Sequence, residues 1–295
     1  MASQQIVELH AGNLRLELSP SIGGSISAFE WTDGDTSRPI LRKCNTPFEK
    51  VLEGPCFPLV PFVNRVRGGH FHFRGREVRI APNMAGDPSP LHGQGWLNPW
   101  SVDDRDRNRA SLSFRHPAGE WPWDYQARQE FMLDDRGFTV TLSCTNTSQS
   151  PMPCGLGQHP YFPCGPETRI DTQATDVWII DSQALPVEKV PATGRFDLTD
   201  RAACGQDLDH GFGGWGGEAL LTDPAWPYEL LLSSPDAHFF QMFSPRDGGF
   251  FCAEPVSHAN AALNEPESEW PKLGMRVIEP GQTMTFTMRL EVRPK

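Results

Sequence analysis

From Thr283 to Val292 the chain alternates without a break: Thr, Met, Thr, Phe, Thr, Met, Arg, Leu, Glu, Val. Successive side chains of a β-strand point to opposite faces, so an apolar residue at every second position predicts a strand with one face in a core. A helix cannot bury such a pattern, because its apolar stripe recurs every 3.6 residues. The turn signal Pro280-Gly281 lies just upstream. Leu14–Leu18 and Phe138–Leu142 alternate in the same way, and Asp134-Asp135-Arg136-Gly137 between Phe131-Met132-Leu133 and Phe138 reads as a hairpin turn. Helical periodicity is weak everywhere. The 27 glycines and 28 prolines are spread evenly, so they punctuate strands rather than mark a linker. These features predict an all-β sandwich rather than a βαβ fold. With no repeat, low-complexity tract or boundary in sight, residues 1–295 are expected to form a single domain.

Charge narrows the partner. The formal net charge is -11 and the pI about 5.3, which argues against a nucleic-acid backbone or an anionic membrane surface. A neutral small molecule is the simplest ligand. The segment Met1–Glu8 has neither a basic nor an apolar leader region, and no run of residues is long and apolar enough to span a membrane. Seven cysteines, an odd number with no Cys-x-x-Cys pair, fit reduced thiols and a cytoplasmic location.

Two short segments carry the strongest chemical signal: Gly157-Gln158-His159-Pro160-Tyr161-Phe162 and Cys252-Ala253-Glu254-Pro255. Pro160 pushes His159 towards an extended backbone, and imidazole titrates where general acid or base work needs it. Glu254 follows the apolar run Gly249–Cys252, so partial burial is expected to raise its pKa. Read on its residues alone, His159 also fits a structural histidine. In Pro61-Phe62-Val63-Asn64-Arg65-Val66, the Asn-Arg step can aim a guanidinium into a pocket, although an arginine on a strand edge fits too. In Leu91-His92-Gly93-Gln94-Gly95-Trp96, glycines beside His92 allow close backbone approach to a ligand, or simply a turn. Asp207–Trp215, with two acids, a histidine and several glycines, reads as a binding loop whose carboxylates suit sugar hydroxyls. His70 and His72 share one strand face, but no third ligand has recognisable spacing, so no metal site is assigned. Phosphate-loop, dinucleotide and thiol-nucleophile motifs are absent.

Taken in order, these segments resemble the aldose 1-epimerase (galactose mutarotase) family. The resemblance is carried by Asn64-Arg65-Val66, Leu91-His92-Gly93, His159-Pro160-Tyr161-Phe162, Leu208-Asp209-His210-Gly211-Phe212, Phe240-Gln241-Met242 and the Glu254 segment with Asn264 downstream. It implies a large antiparallel β-sandwich, no metal or cofactor, and interconversion of the α and β anomers of a free monosaccharide. Glu254 is then the expected base at the anomeric hydroxyl and His159 the acid at the ring oxygen. His92 would bond the developing carbonyl oxygen, while Arg65, Asp209, Gln241 and Asn64 would hold ring hydroxyls. The chain departs from the usual pattern at Gln94 and Asn260, which bears on sugar preference more than on the proton pair. The assembly is expected to be a monomer or homodimer. One rival is an epimerase of hexose 6-phosphates, with Arg67, Arg74 or Arg76 meeting the phosphate. Another is a non-catalytic sugar-binding module, which would have no need of an acid opposite a base.

Overall fold

The computed structural model describes residues 6–34, 36–44 and 48–295. Residues 1–5, on which much of the leader reading fell, lie outside them. Two antiparallel sheets dominate. The larger has nine strands, in the order Arg201–Ala202, Arg169–Thr172, Glu218–Thr222, Tyr228–Ser233, Thr283–Pro294, Gly137–Asn146, Tyr125–Asp134, Arg109–His116 and Ser101–Arg105. At its centre is the strand the alternation predicts, and its apolar set Met284, Phe286, Met288, Leu290 and Val292 is buried while the threonines between face outwards or sit at the margin. Full burial of each such side chain stabilises by about 1.5–3 kcal/mol. The predicted hairpin is also present: Tyr125–Asp134 pairs with Gly137–Asn146, with Asp134 opposite Gly137. Gly137 is required there, because a Cβ would meet the Leu290 carbonyl oxygen at 2.0 Å.

The second sheet has eight strands and carries the chemistry. Its order is Pro186–Pro191, Asp176–Ile180, Leu208–Gly213, Phe239–Ser244, Phe250–Val256, Gly157–Gln158 and Pro58–Leu59, with Tyr161–Pro163 also paired to Phe250–Val256. A four-stranded sheet, Val7–Ala11 to Thr36–Pro39, packs into the same core through Leu9, Leu16 and Phe29, and Phe29 meets Phe138 edge to face. Helical pieces among the described residues are short 3-10 turns, and no helix is long and apolar enough to cross a membrane. The fold is the large antiparallel β-sandwich expected.

Two sequence readings need correction. Asp207–Trp215 is not a loop: Leu208–Gly213 is an interior strand of the second sheet. Nor are all cysteines free. Cys164, just after Tyr161–Pro163, and Cys204, shortly after Arg201–Ala202, form a disulfide with Cα atoms 5.6 Å apart. Cys44, Cys56, Cys144, Cys154 and Cys252 remain thiols.

Candidate active site

Register builds one wall of the site. Gly211 lies opposite Gln241, and Gln241 opposite Glu254, so three neighbouring strands present a row on one face. Asp209, two residues before Gly211, joins them by alternation. A Cβ at Gly211 would come within 3.2 Å of Gln241 Oε1, so glycine leaves the amide its place.

The opposite wall is the irregular segment around Val63-Asn64-Arg65, held by three consecutive backbone N–H groups. Val63 donates to His258 Nε2 (2.9 Å), Asn64 to His92 Nδ1 (3.0 Å) and Arg65 to Asn260 Oδ1 (3.1 Å). These bonds settle proton positions. His92 accepts on Nδ1, so its neutral ring carries the proton on Nε2. His258 accepts on Nε2 and donates from Nδ1 to the Ala259 carbonyl (2.8 Å), so it is neutral too. Burial, above all, pushes His92 well below the usual histidine range and His258 down to about 4. Gly93 follows His92 with φ +70, where a Cβ would strike the Val60 carbonyl oxygen at 2.1 Å.

A hydrogen-bonded relay links the walls. Arg65 Nη1 donates to Asn64 Oδ1 (3.2 Å), Asn64 Nδ2 to Gln241 Oε1 (3.3 Å), and Gln241 Nε2 to Asp209 Oδ1 (2.7 Å). Arg65 is anchored from behind by Asp87, Nε to Oδ2 at 2.8 Å. Each amide is thereby oriented, and the second oxygen of Asp209 remains for a ligand. Burial raises the Asp209 pKa, against the pull of Arg65 and the Gln241 bond.

His159 and Glu254 face each other at the floor, Nε2 to Oε1 at 3.5 Å. His159 is 8% exposed and Glu254 2%. His159 Nδ1 has no hydrogen-bond partner among the described residues, so the ring is positioned by stacking instead. Tyr161 stacks on it (centroids 4.7 Å, 15°) and Phe57 packs against it at about a right angle to that contact (4.6 Å, 32°, with 6.2 Å between the Phe57 and Tyr161 rings), and the Arg42 guanidinium lies 3.9 Å over Tyr161. Arg42 also donates to the carbonyls of Leu52 and Gly54, which seats Leu52 at the cleft rim. Burial brings His159 down to about 3, and the Arg42 cation acts in the same sense. Burial likewise pushes Glu254 well above the usual carboxylate range, with Asp209 adding to the effect and Arg65 opposing it. Burial therefore favours the neutral form of both members, in which the pair carries one transferable proton.

Every residue singled out in the sequence, His159, Glu254, His92, Arg65, Asp209, Gln241 and Asn64, lines the same cleft of ≈ 230 Å³. Surface hollows of ≈ 420 and ≈ 490 Å³ exist elsewhere, but His159 and Glu254 line neither of them. The cleft is small beside the roughly 300–1,000 Å³ of drug-sized pockets. Trp96 lines it, whereas Trp100, Trp121, Trp123 and Trp215 belong to the core. His70 and His72 are exposed on their strand. None of Arg67, Arg74 and Arg76 lines the cleft: Arg67 reaches Asp181 and the Pro186 carbonyl, and Arg74 reaches Glu279. Sequence reasoning gave no role to His258, Asp87, Phe57 or Arg42. Their partners lie far along the chain, and no local pattern announces them.

Comparison with known proteins bears on this geometry. The sequence model of the family described as Aldose 1-epimerase matches residues 5–291. The uncharacterized protein YphB of Escherichia coli (strain K12) is 35% identical over 302 residues, covering 97% of this chain and 98% of its own. The crystal structure of a proposed aldose 1-epimerase from Escherichia coli K12 superposes with a TM-score of 0.89 at 33% identity, covering 99% of both chains. A galactose mutarotase-like protein from Clostridium acetobutylicum shares the fold at a TM-score of 0.85 and 18% identity, over 98% of this chain and 95% of that one.

Proposed function

Since this chain belongs to the aldose 1-epimerase family, we propose that it interconverts the α and β anomers of a free aldose by opening and reclosing the sugar ring. The observation that carries the reading is the buried His159–Glu254 pair at 3.5 Å, on the floor of a cleft walled by a polar relay. With sugar bound, the proton of the pair passes from the Glu254 carboxyl to His159 across their 3.5 Å separation. Glu254 as carboxylate then takes the proton of the anomeric hydroxyl, while His159 as imidazolium gives one to the ring oxygen. The C–O ring bond breaks as the anomeric carbonyl forms. The carboxylic acid–imidazole form left behind closes the ring after the aldehyde turns about its bond to the next carbon. The pair holds one proton throughout, so the cycle balances without exchange with solvent. His92 donates from Nε2 to the carbonyl oxygen where charge grows. Arg65, Asp209, Gln241 and Asn64 hold ring hydroxyls. General acid and base catalysis supply about 10²–10⁴-fold each, which suits a reaction that also runs unaided.

Charge favours a neutral sugar over a phosphorylated one. Among the described residues lining the cleft, Arg65 is the one lysine or arginine, and Asp87 already pairs with it. A phosphate dianion would also lie near Asp209. On this reading residues 1–295 work as one domain, as monomer or homodimer, with a monosaccharide as ligand. We keep the cytoplasm as the proposed compartment, and the Cys164–Cys204 bond is the observation that pulls against it.

Polarimetry on freshly dissolved α-galactose, α-glucose and α-xylose tests the proposal. Accelerated rotation change with at least one of them, and none with glucose 6-phosphate, is expected. Acceleration with the phosphosugar alone would replace the reading with the phosphosugar branch. Sugar binding without turnover of any would leave the non-catalytic module.

A further inference from the structure

Cys252 is fully buried beside His159 and Glu254, lines no part of the cleft itself, and has no part in the acid–base cycle. It lies two residues before Glu254 on the strand Phe250–Val256, so both side chains leave the same face. Opposite it in register is Tyr161, and His159 precedes Tyr161 by two residues, so strand pairing brings the imidazole to the thiol. One ligand atom each from His159, Cys252 and Glu254 lies within 4.8 Å of the other two, and all three residues are buried. The His159–Glu254 separation of 3.5 Å is close to what two ligands of a tetrahedral ion adopt when each bond is about 2.0–2.3 Å. The Cys252 thiol makes no hydrogen bond with any described residue, so nothing need be broken to recruit it.

We propose that His159, Cys252 and Glu254 form a three-ligand Zn²⁺ site whose fourth position opens into the cleft, and that zinc bound there switches the enzyme off. Mixed nitrogen, sulfur and oxygen donors in a compact set select zinc over magnesium or calcium, which take oxygen. Binding displaces the thiol proton and the carboxyl proton to solvent. Thiolate and carboxylate then neutralise the dication, so the buried complex carries no net charge. Inhibition follows because the ion occupies both proton carriers at once. The binding half of the proposal rests on geometry alone; the inhibition half rests on the acid–base reading of the cleft.

Co²⁺ serves as the spectroscopic probe and Zn²⁺ as the inhibitor, on the parent, Cys252→Ala, Cys252→Ser and His70→Asn/His72→Asn proteins. The parent is expected to bind one Co²⁺ per chain with a thiolate-to-cobalt charge-transfer band, and to lose mutarotation in Zn²⁺ until a chelator restores it. Both Cys252 variants keep mutarotation, lack the band and need at least about 100-fold more zinc for the same inhibition. The double histidine variant behaves as the parent. A band that survives in the Cys252 variants, or unchanged zinc sensitivity in them, overturns the site. If no sugar is turned over, the band still decides the binding half, so failure of the functional reading remains distinct.

Discussion

Replacing His258 with leucine removes a ring that lines no part of the sugar cleft yet holds one of its walls. Two bonds vanish, from Val63 N–H to Nε2 and from Nδ1 to the Ala259 carbonyl, in a residue 2% exposed. A buried N–H left without an acceptor costs about 1–3 kcal/mol, and the lost second bond brings the total to about 2–4 kcal/mol. That loss belongs to neutral pH, where the ring is uncharged. The folded value of about 4 lies below the ordinary histidine value of 6.5, so this group's contribution is complete above the upper value and drains as pH falls towards the lower. At ~1.4 kcal/mol per pH unit, the drain over that window is on the order of 3 kcal/mol. The variant has no such group, so the two proteins should converge in stability as the solution is acidified. Urea unfolding followed by tryptophan fluorescence, from about pH 7.5 down to about pH 4.5, measures the gap directly. A gap that stays constant with pH would mean that His258 is not held neutral. No gap at neutral pH would mean that its bonds to Val63 and Ala259 do not support the fold.

Gln241→Leu breaks the relay at its middle, leaving Asp209 Oδ1 and Asn64 Nδ2 without partners. A cost of about 1–3 kcal/mol in transition-state binding corresponds to a roughly 5- to 150-fold fall in kcat/KM by polarimetry, and an unchanged value would remove the relay from substrate binding. Arg42→Met takes the cation off Tyr161 and loosens the stack over His159. Because burial and the Arg42 charge both lower the His159 pKa, the variant should show the imidazole titrating at higher pH by NMR. A titration that does not move would show that the stack leaves His159 indifferent.

Legibility in the sequence followed locality. Thr283–Pro294 and the hairpin at Asp134–Gly137 could be read because alternation and turn chemistry are local patterns that packing did not override. Asp209 lines the cleft from a strand, although its sequence context reads as a loop. Gly211 and Gly213 looked like loop glycines, whereas they sit in a strand because Gln241 Oε1 and the Trp178 ring crowd the places where a Cβ would go. The cluster around Val63-Asn64-Arg65 was visible only as a polar step. The acceptors that hold it, His92, His258 and Asn260, arrive from elsewhere in the chain, and nothing near Val63 encodes them. The Arg42–Tyr161–His159–Phe57 stack is equally non-local. The Cys164–Cys204 pair, 40 residues apart, had no motif to reveal it.

The central claim is that His159 and Glu254 move one proton between them and the sugar. Polarimetry on α-glucose, or on whichever aldose the parent turns over fastest, tests it with His159→Asn, Glu254→Gln and the double variant. Each single change should lower kcat by about 10²–10⁴-fold. The double variant should be little worse than the slower single one, because either loss disables the same pair. Turnover within about tenfold of the parent in either single variant would contradict the claim.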